Sequence, residues 1–170
     1  MHRAIAMALA AVLASTPSTI REATASELKS ALSPSERGRP KVVHLWASWC
    51  RPCVAEMPRL LRELRRRGDL LDAVLVSLDD AGAAKAAANL LDRWGGAPGE
   101  SLRASASDLA PVIRTLYGAW DGSLPATYLV SGDGTLLVSQ QGITDFDLLL
   151  SETDRATSTM KRTIDRRTKT

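Results

Sequence analysis

The chain has 170 residues, one domain's worth, and 45% of them are hydrophobic, enough for an ordinary core and too many for a disordered chain. The net charge of +3 is unevenly placed: residues 151–170 carry six Lys/Arg against three Asp/Glu, residues 1–14 add Arg3, and residues 15–150 hold 15 basic and 16 acidic groups. The body therefore lacks the basic excess of a nucleic-acid-binding domain, and no nucleic acid partner is expected.

The chain opens with a weak basic start, His2 and Arg3, and an apolar run of eleven residues, Ala4 to Ala14. Small residues before Ser15 suit a cleavage site, so residues 1–14 read as a secretory signal peptide. The run is shorter than the ~20 residues that span a bilayer. The alternatives are a buried N-terminal helix or an uncleaved interfacial anchor. Residues 15–40 read as a linker and a short helix, Ala25–Leu32, with Ser26 as its cap, followed by a loop rich in Pro, Gly and charge. Lys41–Trp46 is β-branched and apolar, the pattern of a buried strand.

Cys50 and Cys53 come next, at the turn from that strand into a helix that runs to Arg67. In the helix Met57, Leu60, Leu61 and Leu64 recur at i, i+3, i+4 and i+7 and define its buried face. Pro58 is expected to kink it. The arginines at 59, 62, 65, 66 and 67 read as a solvated face that complements the helix C-terminal dipole. Residues 73–78 form the next buried strand, which gives a βαβ unit. Asp79 or Asp80 is the cap expected for a helix from Gly82 to Trp94. A short strand at 102–104 and a helix from Ser107 to about Tyr117 follow. Residues 126–130 and 135–140 read as a hairpin turned by Ser131-Gly132-Asp133-Gly134, where glycine supplies positive φ. A last helix starts near Asp145. From Ser151 apolar residues become scarce, and residues 151–170 read as a polar tail, more suited to disorder than to a helical extension.

Cys50 and Cys53 are the only cysteines, and two residues separate them. A zinc site needs about four ligands. No second CxxC exists, and the histidines are His2, in the leader, and His44, inside the buried strand. A structural disulfide across so short a loop constrains the unfolded chain little. A redox dithiol uses the location, because free N–H groups and the helix dipole at a helix N-terminus favour a thiolate. Cys50 is then the attacking thiol, with Arg51 beside it adding positive charge, and Cys53 the resolving one. Glu56, one turn past Cys53, is a candidate acceptor for its proton; the alternative is an acid that complements the helix N-terminus. Pro52 lies where its missing N–H is harmless.

The segment Trp46-Ala47-Ser48-Trp49-Cys50-Arg51-Pro52-Cys53-Val54-Ala55-Glu56-Met57-Pro58 resembles the active-site segment of the thioredoxin superfamily, and within it the TlpA/ResA-like extracytoplasmic thiol-disulfide oxidoreductases. Leu124-Pro125-Ala126-Thr127-Tyr128-Leu129-Val130, with Gly132-Asp133-Gly134 after it, resembles the same family's cis-proline loop and the hairpin beyond it. The likeness covers roughly residues 41–150.

The resemblance implies an α/β thioredoxin-like fold: a central mixed sheet flanked by helices, with a TlpA/ResA-like central insertion. It implies a cis bond before Pro125, with Leu124, Pro125 and Trp49 meeting the partner's chain, and it assigns Glu56 the proton-relay role. His44 departs from the family, which often carries Asp or Asn there. It reads as a buried neutral histidine or, alternatively, as a proton acceptor for Cys53. The implied activity is protein-disulfide exchange in the periplasm or another extracytoplasmic space. The implied partners are proteins with cysteine pairs or disulfides and a membrane thiol donor. The direction implied is reduction, of the kind that serves cytochrome c or copper-protein maturation. The alternatives are a disulfide-forming oxidant and a Cu(I) metallochaperone on the same two cysteines. No cofactor or resident metal is called for.

Overall fold

The computed structural model describes residues 18–167. The expected signal peptide at 1–14 and the last residues, 168–170, lie outside them. One six-stranded sheet organises the chain, in the order β1-β4-β3-β2-β5-β6. Its strands are β1 (Arg21–Glu22), β2 (Lys41–Trp46), β3 (Asp72–Ser77), β4 (Glu100–Arg103), β5 (Ala126–Val130) and β6 (Leu136–Gln141). The first four in sheet order are parallel, and β5 and β6 run antiparallel on the far side of β2.

Helix α2 (Arg51–Arg67) connects β2 to β3. Helix α3 (Ala84–Arg93) follows β3, and α5 (Phe146–Arg167) follows β6. The stripe of Met57, Leu60, Leu61 and Leu64 on α2 packs with Val42, Trp46 and Leu129 of the sheet, Leu91 of α3, and Phe146 and Leu149 of α5. Helices α1 (Ala25–Leu32) and α4 (Ala106–Tyr117) cover the opposite face, where Leu28, Leu32, Leu109 and Ile113 meet Val43, Leu45, Val74 and Val76. The alternation of β2 thus divides two cores: Val42, His44 and Trp46 lie under α2, and Val43 and Leu45 face α1 and α4. Helix α2 runs unbroken through Pro58.

Four local expectations need correction. Thr24, not Ser26, caps α1, in a reciprocal capping box with Glu27. Residues 18–24 are not a free linker: β1 pairs with β4, and the Ser18 N–H donates to Asp92 at 2.6 Å. A two-residue edge strand made of Arg21 and Glu22 shows no alternation. It is held by its pairing with β4, with ion pairs of Arg21 to Glu27 and Glu100 beside it. Neither Asp79 nor Asp80 caps α3: Ala83 stands at its N-cap and donates its N–H to Asp80 at 2.8 Å, whereas Asp79 turns inward.

The fourth correction concerns residues 151–170. Helix α5 continues to Arg167, and Phe146, Leu149, Thr153 and Thr157 form its buried stripe. Thr153 and Thr157 donate their hydroxyls to the carbonyls of Leu149 and Thr153, at 2.7 and 3.0 Å. A threonine whose hydroxyl is satisfied by its own helix packs much as valine does. A hydropathy reading misses such a face.

The β5–β6 hairpin turns as expected. Gly134 has φ 93°, and Gly132 passes so close to Gly38 that a Cβ there would sit 1.9 Å from its carbonyl oxygen.

Candidate active site

Strand β2 ends at Trp46, and the chain turns through Ala47-Ser48-Trp49 before α2 begins at Arg51. Asp79, just past the neighbouring end of β3, holds this turn. Its carboxylate accepts the Ser48 N–H at 2.9 Å, the Ser48 hydroxyl at 2.6 Å and the Ser77 hydroxyl at 2.7 Å. Asp79 is buried, so these donors replace the water it has lost.

Cys50 is the N-cap of α2. Its Sγ accepts the Cys53 N–H at 3.3 Å, one of the donors a helix start leaves free. Cys50 and Cys53 are joined in a disulfide, with Cα atoms 5.3 Å apart. Cys50 keeps 6% of its surface exposed and Cys53 none, so an incoming group reaches Cys50 first. Arg51 and Pro52 occupy the first helical turn and are exposed. Trp49 is 65% exposed beside the pair. The Leu124–Pro125 bond is cis, Pro125 is buried, and its carbonyl accepts the Gly142 N–H at 2.7 Å. Leu124 is partly buried against both cores.

One turn past Cys53, Glu56 begins a buried polar chain drawn from α2, β5, β2 and the loop before α5. Glu56 of α2 accepts the Thr144 N–H at 2.9 Å on one oxygen and the Thr144 hydroxyl at 2.8 Å on the other. Thr144 and Thr127 share a hydroxyl–hydroxyl bond of 2.8 Å, and Thr127 bonds His44 Nδ1 at 2.9 Å. The second imidazole nitrogen, Nε2, is buried with no hydrogen-bond partner among the described residues, 3.7 Å from the Glu56 carboxylate. Burial pushes the His44 imidazole down to about 3. Burial also raises Glu56 above the usual carboxylate range, against the lowering effect of its two Thr144 bonds. The contact is thus not an ordinary ion pair, because each group resists its own charge.

Thr127, Thr144 and Asp79 escaped the sequence reading as site residues. One signal was available for Thr127: it and His44 are the polar interruptions of two apolar strands, and they stand opposite each other in the β2–β5 register. Thr144 and Asp79 act through partners 88 and 31 positions away, and no local pattern marks them.

The β2-α2-β3 unit, the cis-proline strand beside β2, and the disulfide at the start of α2 are those of a thioredoxin-like fold. Among known proteins, it is 30% identical over 126 residues to the thiol:disulfide interchange protein CycY of Rhizobium leguminosarum bv. viciae, a match that covers 74% of this chain. The chain spans 61% of that relative's length. A thioredoxin-family thiol:disulfide interchange protein from Chlorobium tepidum superposes with a TM-score of 0.58 at 14% identity, covering 85% of this chain and 99% of that one. A secreted disulfide oxidoreductase of Mycobacterium tuberculosis gives 0.53 at 18% identity, covering 71% and 82%. No family model matches the chain.

Proposed function

We propose that this chain is a thiol-disulfide oxidoreductase that acts on protein disulfides outside the cytoplasm, as a reductant. The observation that carries the reading is the Cys50–Cys53 disulfide at the N-terminus of α2, with the outer sulfur already receiving a backbone N–H. When the pair is reduced, that N–H and the helix dipole favour the Cys50 thiolate.

The Cys50 thiolate attacks a client disulfide. One client sulfur leaves as a thiolate and takes a proton from solvent, and the other stays in a mixed disulfide with Cys50. Cys53 then loses its proton to Glu56 and attacks Cys50 Sγ. The Cys50–Cys53 disulfide forms and the second client sulfur departs. The client gains two electrons and the pair loses them, so a thiol donor must reduce the pair again. A membrane thiol donor is the partner that fits an extracytoplasmic protein. Clients awaiting haem or copper on their cysteines fit the reducing direction, and the similarity to a thiol:disulfide interchange protein supports exchange with protein disulfides. Exposed Trp49, with Leu124 and Pro125, supplies the docking surface. Arg51 and Pro52 complete the first turn that tunes Cys50.

The test is turnover of a disulfide-bonded model peptide by the full chain in the presence of a dithiol, together with equilibration of the pair against glutathione buffers. A reductant accelerates reduction of the peptide and stays oxidised until the buffer is strongly reducing. A pair that is reduced in mildly reducing buffer acts instead as an oxidant. Absence of turnover combined with tight Cu(I) binding by both cysteines identifies a metallochaperone and overturns the proposal.

A further inference from the structure

The hydrogen bonds that run from Glu56 to His44 have a fixed sense. The Thr144 hydroxyl gives its one proton to Glu56. In the Thr144–Thr127 bond Thr127 must therefore be the donor. With its proton spent, Thr127 can only accept from His44, so His44 Nδ1 carries the hydrogen. Nε2 of a neutral imidazole is then a bare lone pair. It is fully buried, has no hydrogen-bond partner among the described residues, and lies 3.7 Å from Glu56 Oε1. An ionised carboxylate facing a bare lone pair in a buried site is unfavourable, and one proton between them removes the conflict.

We infer that His44 is a positioning residue for the resolving step: its Nε2 shares with Glu56 the proton that Glu56 takes from Cys53. The inference rests on the oxidoreductase reading. In the step, the Cys53 S–H bond breaks and its proton passes to the Glu56 carboxylate, where His44 Nε2 accepts a hydrogen bond from it or takes it over. The electron pair left on Cys53 forms the bond to Cys50 Sγ, and the client sulfur leaves with the pair from the broken S–S bond. Proton and electrons balance, and the buried pair passes from one negative charge to none. His44 acts on Glu56 and never on sulfur. It thereby makes Glu56 a stronger base than its two Thr144 hydrogen bonds alone would allow.

Cys53 and Arg59 stand one turn to either side of Glu56 along α2, and the Arg59 guanidinium lies over the Phe146 ring 4.3 Å from its centroid. From α5, Asp147 is exposed and 3.9 Å from Arg59. The residues opposite His44 in the sheet are Leu75 on β3 and Thr127 on β5, neither of which titrates.

Nitrogen-15 NMR of the reduced full chain reads the sharing directly, and the chain has two histidines to assign, His2 and His44. His44 should show a protonated Nδ1 and a bare Nε2 at high pH. The Nε2 signal should move at the pH where Glu56 binds its proton, and in Glu56→Gln that movement should vanish. A proton on Nε2 with a bare Nδ1 at high pH, or a titration unaffected by Glu56→Gln, overturns the inference.

A kinetic arm uses an aromatic disulfide reagent that leaves a coloured thiolate, first by capture on Cys50 and then by Cys53-driven release. In His44→Phe, which keeps the bulk and removes both nitrogens, the midpoint of the release phase should fall and release above it should slow on the order of tenfold. If His44 were packing alone, a more apolar neighbour would leave the midpoint unchanged or raise it, and that result overturns the inference. Normal capture and release with such a profile leaves the oxidoreductase reading standing. Failure of the unaltered chain to release the reagent defeats the oxidoreductase reading itself, and this inference with it.

Discussion

Two buried acids flank the chemistry of this site, and the hydrogen bonds they accept come from serine and threonine. Glu56 is held by Thr144, and Asp79 by Ser48 and Ser77. Their roles differ with their positions. Glu56 follows Cys53 by one turn of α2, where the proposed relay would take its proton, while Asp79 holds the turn before Cys50. Asp79→Ala strips the acceptor from the Ser48 N–H and from two hydroxyls, so it should cost about 1–3 kcal/mol in denaturant unfolding. Asp79→Asn, which keeps an acceptor, should cost less. Equal stability of Asp79→Ala and the unaltered chain would show that the turn holds itself. The cysteine pair and Pro125 were legible in the sequence because each is a local motif. The hydroxyl relay was not, because Thr127 and Thr144 lie 83 and 88 residues from the groups they serve.

Helices and strands with one strongly apolar face were readable from periodicity. Strand β2 begins and ends where its apolar run does, and β5 likewise. The misreadings fell on β1 and α5, where tertiary contacts replace hydrophobicity. The fold keeps β1 by pairing and by charge, and it keeps the second half of α5 by burying threonines. Arg67 adds an ion pair to Asp154 at 2.9 Å. Truncation after Glu152 should therefore destabilise the domain, since it removes Thr153 and Thr157 from the face that covers the sheet. Truncation after Ser158 should be nearly neutral. Thermal unfolding of the two truncated forms checks this, and equal melting temperatures would mean that residues 153–158 of α5 add nothing to the core.

Across the whole molecule, the buried pair couples folding to acid. Unfolded, His44 binds a proton near 6.5 and Glu56 near 4.5. Folded, burial raises the first proton-binding step, on Glu56, and pushes the second, on His44, down to about 3. Between about 4.5 and 3 the unfolded chain thus holds two protons and the folded pair one, so stability falls as pH drops through this window. From 4.5 up to the raised Glu56 value, the proton that Glu56 keeps offsets the one that His44 fails to bind. Urea titrations should show the acid limb in the unaltered chain and a shallower one in His44→Phe. The central claim remains that Cys50 attacks and Cys53 resolves. The most direct measurement is mass spectrometry of Cys53→Ser after exposure of the reduced chain to a disulfide-bonded peptide. The account predicts a stable peptide adduct on Cys50, with no adduct on Cys53 in Cys50→Ser. Equal labelling of both variants, or of neither, would contradict it.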